Sequence, residues 1–347
     1  MHWFTTTRQG TVTAAGTRVG DDMHNGNAVM YDVGKILICG GATAFARPEF
    51  TGTDFSAIIE IGAPFTQATS RQVGSLNFPR VYGNTNVLPD GKVIITGGSL
   101  VPKEFSDETP VFETGAHPSR LVTTKGYGHK TPMHTSSEVF EHPCRTRAAA
   151  GRLPVSCAGL LAWLRSAPCP SGSPGYVLRA EIWDPATEQW TALNAQNVVP
   201  RTYHNSAVLL PDGRIFEGGG GLCDCDVNHL DAEIFSPPYL FNANGTPATR
   251  PVISPSREII RNGNTFRVFT DQPLSIISII RYGSSTHSTN TDQRRIELCG
   301  FATQACTGTN PQVQIPADRA IALRGNWMLF GVNNAGVPSV ASNIIIR

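Results

Sequence analysis

The chain has little charge and almost no excess of either sign: charged residues make up 16% of its 347 positions and the formal net charge is +1. Nothing in that balance suggests nucleic acid or an anionic membrane surface as a partner. No stretch approaches the roughly 20 apolar residues of a membrane-spanning helix. The opening residues, Met1-His2-Trp3-Phe4-Thr5, carry neither a basic run nor an apolar one, so no secretory leader is visible. Long Ala/Leu/Glu/Lys runs are missing too. Glycine (34) and proline (25) are plentiful instead, a balance that favours many short strands joined by tight turns. The length is enough for two domains and a substantial core.

Eight cysteines, at 39, 144, 157, 169, 223, 225, 299 and 306, are more than a typical cytosolic domain needs. Their pairing cannot be deduced from the sequence. Cys299 and Cys306 flank a loop and are the best disulfide candidates. Cys223 and Cys225 are so close that a bond between them would be strained, and two thiols or separate partners are equally open. Cys39 ends a strand and reads as a buried core thiol. No paired Cys-x-x-Cys motif supports a structural zinc site.

Three segments share one pattern: Gly26 to Gly41, Asn84 to Gly98 and Asn205 to Gly219. Each reads as a strand, an Asp- and Gly-containing turn, and an apolar strand closing on a double glycine. Asp-Gly predicts a two-residue hairpin turn, and the double glycine lets backbones approach closely. Further strands follow at Ser56–Ile61 and Asp231–Ser236, and the second copy is answered only much later, at Glu181–Trp190. The double glycines start at 40, 97 and 218, so they lie 57 and 121 residues apart. A period of about fifty with this signature is that of a kelch-type propeller blade. Closed propellers carry about four to eight blades, and Met1 lies inside the pattern rather than ahead of it. An amino-terminally incomplete chain is the expectation, with a small open stack of blades as the alternative.

The stretch at about 113–179 breaks the repeat and reads as an irregular insertion. After about Tyr239 the composition changes: Asn242-Ala-Asn-Gly245 and prolines at 247, 251 and 255 mark a boundary. Short alternating strands then run to Arg347, which fits a β-sandwich of immunoglobulin type. The expected architecture is all-β, with a partial propeller at 1–240 and a sandwich domain at 245–347.

The sharpest chemical lead is Arg201-Thr202-Tyr203-His204, just ahead of the third repeat. Adjacent strand residues point to opposite faces, so Tyr203 and His204 can serve one metal only at an irregular strand end or loop. A second histidine, His287, sits in a polar loop of the sandwich domain and can join them only if that loop reaches back into the propeller. Imidazole nitrogens with a phenolate oxygen suit a tetragonal Cu(II) centre better than structural zinc. The bland alternative is three polar residues capping strand ends.

These segments, together with Gly218 to Asp231, Asn290 to Arg295 and Gly336 to Ser342, resemble the galactose oxidase-like copper radical oxidases. The resemblance covers nearly all of the chain except the insertion, and it implies a seven-bladed propeller followed by a sandwich of the early set. It implies copper held by Tyr203, His204 and His287, with Tyr203 as the catalytic base that takes the proton of a primary alcohol. The alcohol or carbohydrate becomes an aldehyde while O2 becomes hydrogen peroxide. It further implies secretion and a small-molecule substrate, which fits the absence of features for nucleic acid or membrane; a monomer is expected. The family's radical cofactor, a tyrosine cross-linked to a cysteine, corresponds to sequence upstream of Met1 and is not encoded in this chain. Tyr82, in Arg80-Val81-Tyr82, echoes Arg201-Thr202-Tyr203 and reads as a repeat residue rather than a substitute. Phe45 and Phe105 fall where the family lines its substrate pocket, with ordinary core packing as the alternative. The rival from another class is a non-catalytic kelch-like binding module.

Overall fold

The computed structural model describes residues 1–6, 9–21, 23–43, 51–100, 175–221, 229–299 and 308–347. Among these, helix is limited to one 3-10 turn, Pro238–Leu240. A small hairpin, β1 (His2–Phe4) and β2 (Val12–Ala14), comes first. The first blade is a four-stranded antiparallel sheet of β3 (Asn27–Asp32), β4 (Lys35–Cys39), β5 (Ser56–Glu60) and β6 (Thr69–Gln72). The second contains β7 (Asn84–Val87), β8 (Val93–Thr96), β9 (Arg179–Asp184) and β10 (Gln189–Gln196). Glu181 to Trp190 thus completes the second repeat, as its sequence suggested. The third blade is β11 (Ser206–Leu209), β12 (Ile215–Gly218) and β13 (Ala232–Phe235).

The turns differ from the two-residue form that Asp-Gly suggests. In the second and third blades, Leu88 pairs with Lys92 and Leu210 with Arg214, leaving the three-residue loops Pro89-Asp90-Gly91 and Pro211-Asp212-Gly213. Proline presets the φ that begins a type I turn, and glycine then takes the left-handed position (φ 90° and 79°).

The double glycines are the joints between blades. Gly41 N–H donates to the Arg80 carbonyl at 2.8 Å, and Gly98 N–H to the Arg201 carbonyl at 2.7 Å. A Cβ on Gly97 would stand 2.6 Å from the Arg201 oxygen, and Gly97 has φ 63°, so only glycine fits. Each arginine also grips its own blade. Arg80, fully buried, donates to the Gly97 carbonyl and pairs with buried Glu181 at 2.6 Å; Arg201 donates to the Gly219 carbonyl and reaches Glu233. The Arg-x-Tyr echo is therefore a joint of the repeat. All four residues of β7 and of β8 are buried, because the middle blade is covered on both faces; β3 and β11 alternate.

From β14 onward two sheets form. One holds β14 (Ile253–Pro255), β16 (Thr265–Thr270) and β21 (Gln312–Gln314). The other holds β15 (Ile259–Ile260), β17 (Leu274–Arg281), β20 (Arg295–Glu297), β22 (Gly325–Asn333) and β23 (Ser342–Ile346). Their inner faces enclose a core that includes Phe266, Ile277, Ile279, Trp327 and Leu329. The alternate residues of the same strands, Ile280, Met328 and Phe330, belong instead to the core of the blades with Leu37, Ile94 and Trp183. Each such buried side chain contributes about 1.5–3 kcal/mol. The sandwich also docks on the turn ends of the blades: Ser278 and Arg295 donate to the Pro89 carbonyl, and Arg250 to that of Asp212.

Candidate metal centre

One excursion leaves the sandwich. Between β17 and β20 the chain forms a short hairpin, β18 (Ser285–Thr286) and β19 (Thr289–Asn290), which lies against the first strands of the blades. Gln293 carries the anchoring, accepting from Val87 N–H at 2.9 Å and donating to the Thr85 carbonyl at 2.7 Å. The loop does reach back into the propeller.

Its two-residue turn is His287-Ser288, with φ of 51° and 62°. Positive φ at both positions is the type I′ geometry, which usually takes Asn or Gly. Across from it, Asn205 N–H donates to the Thr202 carbonyl at 3.0 Å, closing a turn around Tyr203 and His204. His204 sits there at φ 64°, also left-handed. Such positions are held at a cost of roughly 1–3 kcal/mol each and gather at functional sites. The Tyr-His pair thus occupies a turn at a strand entrance, the irregular setting that one shared metal requires.

The three rings meet. Tyr203 and His204 have centroids 4.0 Å apart, His204 and His287 4.7 Å, and Tyr203 and His287 5.9 Å. Tyr203 and His204 are half-buried and His287 is exposed. Burial first, then the neighbouring His287, lowers the His204 pKa below its ordinary value, against an opposing hydrogen bond to the Gly221 backbone. The neutral imidazole that a metal needs is favoured. His287 Nδ1 lies 2.7 Å from Thr286 Oγ1, which leaves Nε2 as the nitrogen available to a ligand. Among the described residues no group of three His, Cys, Asp or Glu side chains offers a competing metal site. The donor set, two imidazoles and a phenol, fits copper by type.

Tyr82 is fully buried under the cluster, its ring 5.2 Å from that of Tyr203. The sequence reads it as a repeat residue and does not foretell this contact. A cavity of about 380 Å³ lies beside the hairpin, lined by residues including Arg18, Met23, Asn27, Thr289 and Asn290, but none of the three clustered rings lines it. Cys39 is a free, buried thiol, its pKa pushed up to about 12 by burial. Cys299 is disulfide-bonded. Phe45, Phe105, Cys306, Cys223, Cys225 and most of the 113–179 stretch lie outside the described residues.

In sequence and fold the chain resembles the galactose oxidase-like proteins. Residues 250–346 match the galactose oxidase-like early set domain. A galactose oxidase of Gibberella zeae is 37% identical over 358 aligned residues, covering 99% of this chain and 42% of the relative. An aldehyde oxidase of Vitis pseudoreticulata is 35% identical over 156 residues, covering 41% of this chain and 29% of that protein. A fungal alcohol oxidase solved in complex with copper superposes with a TM-score of 0.75 at 31% identity, over 100% of this chain and 59% of that one. The chain is thus a relative of the galactose oxidases along nearly its whole length, with propeller blades followed by an immunoglobulin-like sandwich. It spans less than half the length of the curated galactose oxidase that it matches.

Proposed function

We propose that Tyr203, His204 and His287 bind copper, and that the protein built around them is a secreted, monomeric alcohol oxidase of the kelch-propeller type. In this reading residues 1–240 form the propeller part and 245–347 the sandwich domain. The reaction is oxidation of a primary alcohol, galactose-type or other, to the aldehyde, with O2 reduced to hydrogen peroxide. The observation that carries the reading is the convergence of the three rings within 4.0–5.9 Å, from a blade turn and a sandwich hairpin remote in sequence.

His204 and His287 would hold the metal through the nitrogens left by Gly221 and Thr286. Copper, when bound, supplies one-electron redox capacity and Lewis acidity toward a substrate oxygen. Tyr203, as a phenolate beside it, takes the proton of the substrate hydroxyl. Removing two electrons from the alcohol requires a second redox group, the cross-linked tyrosine–cysteine pair of the family, to which we assign no residue of this chain. The 347-residue chain is therefore expected to bind copper without turning over alcohol by itself.

The test is a copper-competition titration of the purified chain and of His204→Ala and His287→Ala, followed by a peroxide assay with galactose and simple primary alcohols. One equivalent bound by the parent chain and lost in both variants supports the reading. Binding that is absent, or indifferent to both histidines, overturns it.

A further inference from the structure

We propose that Asn205 and Ser288 form a lock that sets the spacing of the two imidazoles, which makes them positioning residues for the metal centre; the proposal rests on the copper reading above. Each follows one of the histidines in sequence. Ser288 N–H donates to the Asn205 carbonyl at 3.1 Å, and Ser288 Oγ donates to Asn205 Oδ1 at 2.7 Å. The two histidine turns are thus joined by a pair of hydrogen bonds between the residues that follow the histidines. Ser288 Oγ also lies 3.5 Å from the Thr202 carbonyl, the residue that opens the turn around Tyr203 and His204.

The lock is anchored from the rear. Asn205 Oδ1 also accepts from Asn84 Nδ2 at 2.6 Å, at the start of β7, and Asn205 Nδ2 points to Glu217 Oε1 at 3.5 Å, on β12. Asn205 is fully buried and Ser288 is 2% exposed, so water does not compete for these bonds. One side chain therefore gathers the second blade, the third blade and the sandwich hairpin.

The backbone explains why a lock is needed. His204, His287 and Ser288 all hold left-handed φ (64°, 51° and 62°), and none is glycine or asparagine. Conformations of this kind persist only where surrounding contacts over-determine them. The hairpin has only two paired residues on each side of its turn, Ser285–Asn290 and Thr286–Thr289. Gln293 and Ser206 hold the hairpin at its base, whereas the bonds from Ser288 tie its turn to the His204 segment, 4.7 Å from ring to ring.

The experiment compares the full chain with Ser288→Ala, which deletes only the hydroxyl, and Ser288→Gly, which also relaxes the turn. Three readouts are taken: Cu(II) affinity by competition, the parallel hyperfine splitting of the Cu(II) EPR spectrum, and amide hydrogen exchange of residues 285–290 in the metal-free chain. In Ser288→Ala we expect affinity to fall about tenfold or more, as for other groups that orient metal ligands. The hyperfine splitting should shift, and exchange in the hairpin should quicken about tenfold, the loss of one buried hydrogen bond, with exchange elsewhere unchanged. Affinity within twofold of the parent, an unaltered spectrum and unaltered hairpin exchange overturn the lock. If the parent chain takes up no copper, the copper reading falls and the exchange readout alone decides: quicker exchange upholds the lock, unchanged exchange overturns it. Should Ser288→Ala not fold, Ser288→Gly is judged by the same readouts.

Discussion

Glu217, on β12, is a buried carboxyl, 1% exposed, that lies 3.5 Å from Asn205 Nδ2. Burial, the largest influence, pushes its pKa up from 4.5 to about 7, against hydrogen bonds from Asn197 and Thr96 and the charge of Arg201; Glu233 adds to the rise. Because the folded value lies above the unfolded one, the folded chain binds the extra proton between them. The stability this proton provides is complete below about pH 4.5 and is lost as pH rises through about 7. At roughly 1.4 kcal/mol per pH unit, the gap corresponds to a loss of about 3 kcal/mol by pH 8. Glu217→Gln carries the neutral form permanently. Its amide oxygen can still accept from Asn197 Nδ2, which lies 2.9 Å from the carboxylate. Urea unfolding of the metal-free parent and of Glu217→Gln between pH 5 and 8 should therefore give curves that diverge, with the variant gaining about 3 kcal/mol relative to the parent at pH 8. Parallel curves would refute the reasoning. They would mean that Arg201 and Asn197 compensate burial and that Glu217 is ionised throughout.

Three further outcomes follow from the joints and the core. Arg80→Ala leaves the Glu181 carboxylate buried with only the Asn77 and Phe78 donors, and should lower stability by about 3–5 kcal/mol in urea unfolding. Replacing Arg80 and Glu181 together with methionine should recover only part of that loss: the orphaned charge goes with the pair, but the Gly97 carbonyl and the Asn77 and Phe78 N–H groups lose their partners. Cys39, buried and with its pKa pushed up to about 12, should resist alkylation in the native chain at pH 8 and label only in denaturant, as read by peptide mass mapping.

Much of the blade architecture can be read from the residues because each local signal has one dominant cause. A double glycine marks a close backbone approach, and the Gly40, Gly97 and Gly218 pairs end the second strand of each blade. The turns were less legible. Asp90-Gly91 alone suggests a two-residue hairpin, but Pro89 ahead of it starts a type I turn and lengthens the loop by one residue. At the site, residue chemistry pointed to Tyr203, His204 and His287, and the need for an irregular backbone was foreseen. The left-handed φ of both histidines was not, because non-glycine residues adopt it only when distant contacts impose it. Those contacts, Asn205 with Ser288 and Tyr82 with Tyr203, join segments more than 80 residues apart, and no local pattern encodes them.

The central claim is that this ring cluster is a copper site. Its most direct test is the EPR spectrum of the chain with one equivalent of Cu(II). The expected result is a single tetragonal species with superhyperfine coupling to two nitrogens, reduced to one nitrogen in either His204→Ala or His287→Ala. A spectrum of solvated copper, or one that both variants leave unchanged, would contradict the account.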